Sequence, residues 1–269
     1  MYAMEKTYLT YLMEDEGPYT VFIPVQASFV QFRKENNISS LDQFPLEELT
    51  NILRYHFIKG SWTLLSLTQG YYPTLLPERT SGNPVDLYIE NDDVLKLNGR
   101  YILDEPDLGA INGYVHSIKA VLDIPTILDH LSNNEKFSLV YQLLSRKDLD
   151  PEILELLSQD GPLTFLAPDN EAIMSYIDTN PAWNNIEDIP TPMLDSIIMN
   201  HFIVGENMVL ERLRGNYNFT TVNGHELEIQ AGYKKWTILD ENGKVAHVTD
   251  NDIQGVNGII QQVDRLLVP

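Results

Sequence analysis

Gly17-Pro18-Tyr19-Thr20-Val21-Phe22-Ile23-Pro24 returns 144 residues later as Gly161-Pro162-Leu163-Thr164-Phe165-Leu166-Ala167-Pro168, and this recurrence decides how the chain is built. Each copy is a short β-rich run between a Gly-Pro pair and a closing proline. Two more blocks recur in the same order, both 145 residues apart. Tyr55-His56-Phe57-Ile58-Lys59-Gly60 matches Asn200-His201-Phe202-Ile203-Val204-Gly205, and Ile111-Asn112-Gly113-Tyr114-Val115-His116 matches Val256-Asn257-Gly258-Ile259-Ile260-Gln261. A period this long means duplicated domains rather than a solenoid. Both copies of the last block run into an apolar stretch ended by proline, Pro125 and Pro269, so the expected domains are 1–126 and 127–269.

Outward from these blocks, each repeat reads as α+β. In the second copy Asp169-Asn170-Glu171-Ala172 follows the strand and supplies a helix cap. Thr191-Pro192 reads as a capping hydroxyl ahead of a proline at the first helical position, and Leu194, Ile197, Ile198 and His201 recur at i, i+3, i+4 and i+7. Leu49, Ile52, Leu53 and His56 repeat that spacing. Strand character follows over Val222–Ile229, Trp236–Leu239 and Val245–Val248, with an Asn242-Gly243 turn between the last two. The repeats also differ. Between Thr126 and Gly161 there is room for two helices, whereas the first repeat has only 16 residues before Gly17. The first domain is therefore expected to carry a shortened N-terminal helical layer, or to begin inside a longer natural protein. Apolar surface would then be left for the second domain, an upstream segment or a partner to cover. After Pro24 the capping Asp gives way to Val25-Gln26, a helix start weaker by about 1 kcal/mol.

Composition narrows the function classes. The 269 residues are 43% hydrophobic and 21% charged, which suits a folded core rather than disorder. Lys plus Arg number 18 against 39 Asp plus Glu, a net charge of −21 that repels phosphate backbones, heparin-like polyanions and anionic lipid. Nucleic acid is excluded as a partner on that ground. No run approaches the roughly 18 apolar residues of a membrane span, and Met1-Tyr2-Ala3-Met4-Glu5-Lys6-Thr7 lacks the apolar core of a signal peptide, so any export signal is expected to have been removed. There is no cysteine, hence no disulfide, thiol nucleophile or thiolate metal site.

Catalytic motifs are sparse. The six histidines (56, 116, 130, 201, 225 and 247) show no zinc spacing, and no nucleophile elbow, phosphate loop or dinucleotide fingerprint occurs, so no catalytic residue, metal or cofactor is expected. Asp250-Asn251-Asp252-Ile253-Gln254-Gly255 is the best calcium candidate but has Gln261 where a bidentate Glu is wanted. It reads better as the turn into the last strand. Glu226 and Glu228 share one strand face and read as solvated carboxylates. His56 and His201 each close an apolar helix stripe and read as hydrogen-bonded core residues. Arg214-Gly215-Asn216 stops one residue short of an adhesion tripeptide, and Asn98-Gly99-Arg100 reads first as a turn. Asn37 and Asn218 sit in glycosylation sequons.

With these blocks in view, the chain resembles the fasciclin-domain family, twice over nearly its whole length. The Gly-Pro-x-Thr-Val/Phe signature, the helix-ending Tyr55-His56 and the closing Asn257–Pro269 carry the resemblance. It implies an α+β fold of about seven strands wedged against a cluster of helices. It also implies a non-enzymatic extracellular binding or cell-adhesion module, displayed on a bacterial surface (periplasm or outer membrane). By the same resemblance Tyr55 and His56 are the implied ligand-binding pair; in the second repeat Asn200 replaces the tyrosine. The expected partner is an extracellular protein or glycan. An alternative is a carbohydrate-associated lipoprotein, anchored through a lipid upstream of this chain, whose Trp62, Tyr71, Tyr72, Trp183 and Trp236 stack on sugar rings.

Overall fold

The computed structural model describes residues 1–232 and 235–269. The chain forms two compact units, one of Met1–Glu78 with Pro84–Pro125 and the other of Arg79–Asn83 with Thr126–Pro269.

The first unit opens with α1 (Tyr2–Lys6) and a 3-10 turn over Thr10–Met13, followed by β1 (Tyr19–Pro24), α2 (Gln26–Glu35), α3 (Leu46–Tyr55) and β2 (Phe57–Lys59). Then come β3 (Gly70–Pro77), β4 (Pro84–Asn91), β5 (Leu95–Leu97), β6 (Tyr101–Ile102), β7 (Leu108–Ala110) and β8 (Gly113–Ile118). They build one sheet in the order β6-β5-β4-β3-β2-β1-β8-β7, antiparallel except for the β1–β8 pair, in which Tyr19 stands beside Gly113 and Val21 beside Val115. Leu103 bridges to Ile118, which links the β6 end of this order back to β8 and curls the sheet on itself. Phe22, Ile58, Leu87, Ile89 and Leu97 fill its interior. A second cluster, Leu9, Leu12, Phe32, Leu49 and Phe57, lies on the helical side.

The second unit has three helices, α4 (Ile127–Asn133), α5 (Ser138–Leu144) and α6 (Pro151–Ser158), where the sequence suggested two. After them come β9 (Leu163–Pro168), α7 (Asn170–Ile177), α8 (Thr191–Met199), β10 (Phe202–Val204), β11 (Tyr217–Thr220), β12 (Glu226–Ala231), β13 (Trp236–Leu239), β14 (Val245–Gly255) and β15 (Gly258–Val263). The order is β10-β9-β15-β14-β13-β12-β11, again with one parallel pair, β15–β9. Here β14 is a single eleven-residue strand that pairs with both β13 and β15. Its counterpart in the first unit is broken into β6 and β7, which makes eight strands of seven. The break falls at Pro106, which has no N–H to give to a ladder.

Local chemistry explains most element starts. Thr126 caps α4 in a reciprocal box with Asp129, Asp150 caps α6 ahead of Pro151, and Asp169 accepts from the Ala172 N–H to cap α7. Thr191 departs from expectation. It is already inside α8, with Pro190 at the cap position, and its hydroxyl hydrogen-bonds the Asp148 carboxylate and accepts from Arg146. The expected Val222–Ile229 strand is likewise interrupted, because Asn223-Gly224 forms the turn between β11 and β12. At the start of α2, Val25 provides no side-chain cap. Val25→Asp is expected to raise the stability of the first unit by about 1 kcal/mol, read as a higher urea midpoint; an unchanged or lowered midpoint would show that the uncapped start is not what limits this helix.

Candidate functional site

The two outer motifs of each repeat meet in space. Gly17-Pro18 and Asn112-Gly113 lie side by side at the head of the parallel β1–β8 pair, where the Tyr19 N–H donates to the Asn112 carbonyl at 2.9 Å. The Asn112 side-chain amide donates to the carbonyls of Leu12 (3.2 Å) and Asp15 (3.0 Å), tying the N-terminal turn to the sheet. Asn257 repeats this with Leu157 and Gln159 at 3.2 and 3.3 Å, and its amide oxygen also accepts from the Ile127 N–H. Both Gly-Pro bonds are cis. These motifs are therefore structural clamps at the same place in both units.

Tyr55 and His56 point inward. The Tyr55 hydroxyl donates to the Asp86 carbonyl at 3.1 Å and accepts from the Asn98 amide at 2.9 Å, while the Asn98 amide oxygen accepts from the Tyr88 N–H. His56 Nδ1 faces the Ile52 carbonyl at 2.6 Å, and Nε2 accepts from the Leu122 N–H at 3.0 Å. A carbonyl only accepts, so Nδ1 carries the proton and the ring is neutral. His201 repeats the arrangement with Ile197 (2.7 Å) and the Leu267 N–H (3.1 Å). Burial pushes both imidazoles down to about 4, and pushes His130 down to about 4 as well. Asn200, in the place of the tyrosine, bonds the Leu267 carbonyl and the Thr221 hydroxyl. Each ring thus pins the end of a helix to the closing segment of its own unit, and both nitrogens of His56 are engaged inside the fold.

The other candidates are also accounted for by contacts within the fold. Asn98 is buried at positive φ, so Asn98-Gly99-Arg100 turns its first side chain inward toward Tyr55. In the calcium candidate, Asp252 accepts from the N–H groups of Leu210 and Glu211 and from the Gln261 amide. Among the described residues no group of three or more His, Asp or Glu is placed to hold a metal ion. Glu226 and Glu228 accept from Thr220 and Asn216 at the surface. Trp62 packs edge-on to Tyr72, Tyr71 against Tyr88, and Trp183 against Tyr176, while Trp236 is partly buried against the second unit's sheet core.

What the first unit does offer is an apolar cleft of about 380 Å³. Met4 of α1, Met13, Val21 and Ile23 of β1, Phe29 of α2, His56 and Val115 of β8 are among the residues that line it. Ile23 is 42% exposed and Met13 51%.

Compared with known proteins, the chain matches the fasciclin domain model over residues 1–125 and again over 135–269. It is 27% identical over 96% of its length to transforming growth factor-beta-induced protein ig-h3 of Sus scrofa, and 26% identical over 96% to human periostin. It spans 35% and 29% of those relatives, about a third of their length. Among solved structures it resembles a FAS1 domain pair from the insect cell adhesion molecule fasciclin I, with TM-score 0.55 and 19% identity, covering 99% of this chain and 97% of that one. No helix among the described residues is long and apolar enough to cross a membrane.

Proposed function

The chain belongs to the fasciclin-domain family, with two copies in tandem, and from that premise we propose that it is a non-enzymatic extracellular binding or cell-adhesion module whose partner is a protein, with its domains divided at residues 126 and 127. The observation that carries this reading is the inward turn of the motif residues. Tyr55 is bonded to the Asp86 carbonyl and to Asn98, and His56 and His201 tie their helix ends to Leu122 and Leu267, so the groups that could do chemistry are spent on the fold and a partner would be met by other surface. The fold match to a domain pair from an insect cell adhesion molecule adds to it. The −21 charge favours neutral or basic ligands over polyanions.

Beads coated with the full chain and flowed over immobilised purified extracellular proteins, glycans and heparin at physiological salt test this. Retention on at least one protein surface with passage over heparin is expected. Retention on glycans alone, tight retention on heparin, or wash-off from every surface would overturn the reading.

A further inference from the structure

One hydrogen-bonding station recurs in both units with a single exchange of residue. In the second unit Asp252 lies at φ 61, and the Gln261 side chain bonds it twice: the amide oxygen accepts from the Asp252 N–H at 2.9 Å, and the amide nitrogen donates to Asp252 Oδ1 and to the Met208 carbonyl, both at 2.8 Å. The Asp252 carboxylate in turn accepts from the N–H groups of Leu210 (2.7 Å) and Glu211 (3.0 Å), which fixes the segment after β10. At the same 145-residue spacing Asp107 of the first unit lies at φ 59 and accepts from the Leu64 N–H at 2.7 Å, fixing the segment after β2. The place of Gln261 is taken by His116, whose ring is buried. His116 Nε2 faces the Trp62 carbonyl at 2.9 Å, and Nδ1 accepts from the Asp107 N–H at 3.1 Å. A carbonyl only accepts, so the proton sits on Nε2 and the ring is neutral.

We infer that His116 is an acid-operated latch on residues 62–67 of the first unit, for which the second unit carries a counterpart that cannot titrate, Gln261. A second proton would go to Nδ1, where it meets the Asp107 N–H, donor against donor. The nearest acceptor is the Asp107 carboxylate, whose Oδ1 stands 3.9 Å from Nδ1, beyond hydrogen-bond reach, and already holds the Leu64 N–H. To satisfy a charged ring Asp107 has to turn its N–H away and its carboxylate inward, which withdraws the oxygen that fixes Leu64. The other elements around the ring offer no relief. β1 presents the Phe22 ring, stacked at 5.6 Å, and β7 sets Leu108 beside Val115. Of the carboxylates ahead of β7, Asp104 is paired with Lys119 at 2.8 Å, and Glu105 meets β8 through its N–H, which donates to the Ser117 hydroxyl. Burial already holds the ring below the ordinary histidine value. Once the segment opens, the ring regains that value, so the open form binds more protons and gains on the closed one as pH falls below about 6.5. Trp62 and Leu64 pack on the sheet core, and opening therefore presents apolar surface that closing conceals.

The latch is independent of the adhesion reading, because it is read on backbone amides with no partner present. Amide hydrogen exchange in the full chain is followed by NMR at pH 7.5 and pH 5 and corrected for the intrinsic pH dependence of exchange. Protection at Leu64 and Asp107 is expected to fall by about ten-fold or more on acidification, the loss of one hydrogen bond. Both amides should also exchange faster than Phe22, whose N–H is bonded to the His56 carbonyl at 3.0 Å, as a local opening requires. His116→Gln copies the second unit and should abolish the acid response. Gln261→His, the reverse exchange, should give Leu210 that response, and it decides the matter if His116→Gln fails to fold. Protection indifferent to pH, an undiminished response in His116→Gln, no gained response in Gln261→His, or exchange of Leu64 and Asp107 at the rate of Phe22, which marks opening of the whole unit, would each overturn the inference.

Discussion

Acidification from pH 7.5 to pH 5 is expected to cost the second unit about 4 kcal/mol and the first at least about 2 kcal/mol, since burial lowers His116 there as well, well before most carboxylates take up protons. The cause is the set of buried neutral imidazoles. His130 and His201 in the second unit and His56 in the first are held down to about 4 by burial, against 6.5 in the unfolded chain. Between those values the unfolded state binds more protons than the folded one, so stability rises with pH. It is fully present above about 6.5 and drains away as pH falls toward 4. At pH 5 each such histidine has given up about 2 kcal/mol. Geometry says how the loss occurs. A proton on Nε2 of His201 would face the Leu267 N–H, donor against donor, and release the closing segment from the end of α8. Relief of the −21 charge acts in the opposite direction, but carboxylates with ordinary values near 4 contribute mainly below pH 5. Urea unfolding at the two pH values checks this; equal midpoints would show that these rings are protonated in the fold or that the burial is incomplete. His201→Gln, which cannot titrate, should be less stable at pH 7.5 yet flatten the dependence.

How far the sequence could be read follows from the range of each interaction. The helix stripe Leu194, Ile197, Ile198 was legible because its periodicity lies within one turn-to-turn neighbourhood, and all three are buried in α8. Asp169 was legible as a cap for the same reason. Asn98-Gly99 was legible as a turn, and both residues do take positive φ between β5 and β6. What the tripeptide could not reveal is that the Asn98 side chain reaches back 43 residues to Tyr55. Thr191 failed for a similar reason: its hydroxyl has partners on Arg146 and Asp148, far away in sequence, and these outweigh the local preference for a cap. The break between β6 and β7 turned on a single proline in a run otherwise like β14. The cleft was not legible because residues far apart in sequence, such as Met4, Ile23 and Val115, line it together.

The repeated Gly-Pro and Asn-Gly motifs, conspicuous in the sequence but mute about purpose, yield the other large effect. Gly258→Ala is expected to destabilise the second unit by about 3 to 5 kcal/mol, a large share of the 5 to 15 kcal/mol that holds a domain together. A Cβ there would lie 2.3 Å from the Leu163 carbonyl oxygen and 3.0 Å from the Leu163 Cβ. The obstacle is backbone, and it belongs to the first residue of β9, so it cannot rotate away as a side-chain tip would. Only separating β15 from β9 relieves it, and those strands are the parallel pair, second and third in the sheet's order, each hydrogen-bonded on both sides. Gly224→Ala is the control. Gly224 takes φ +84 with open space around it, so alanine there meets conformational strain alone, about 1 to 2 kcal/mol. Equal shifts in urea midpoint for the two variants would mean that the strands part easily and that Asn-Gly is only a turn. A much larger loss at Gly258 makes the glycine a contact residue for a strand 95 residues earlier. In the first unit Gly113 faces the Tyr19 carbonyl still more closely, at 1.7 Å and with φ +148, so Gly113→Ala combines clash with strain and should be the more damaging of the pair.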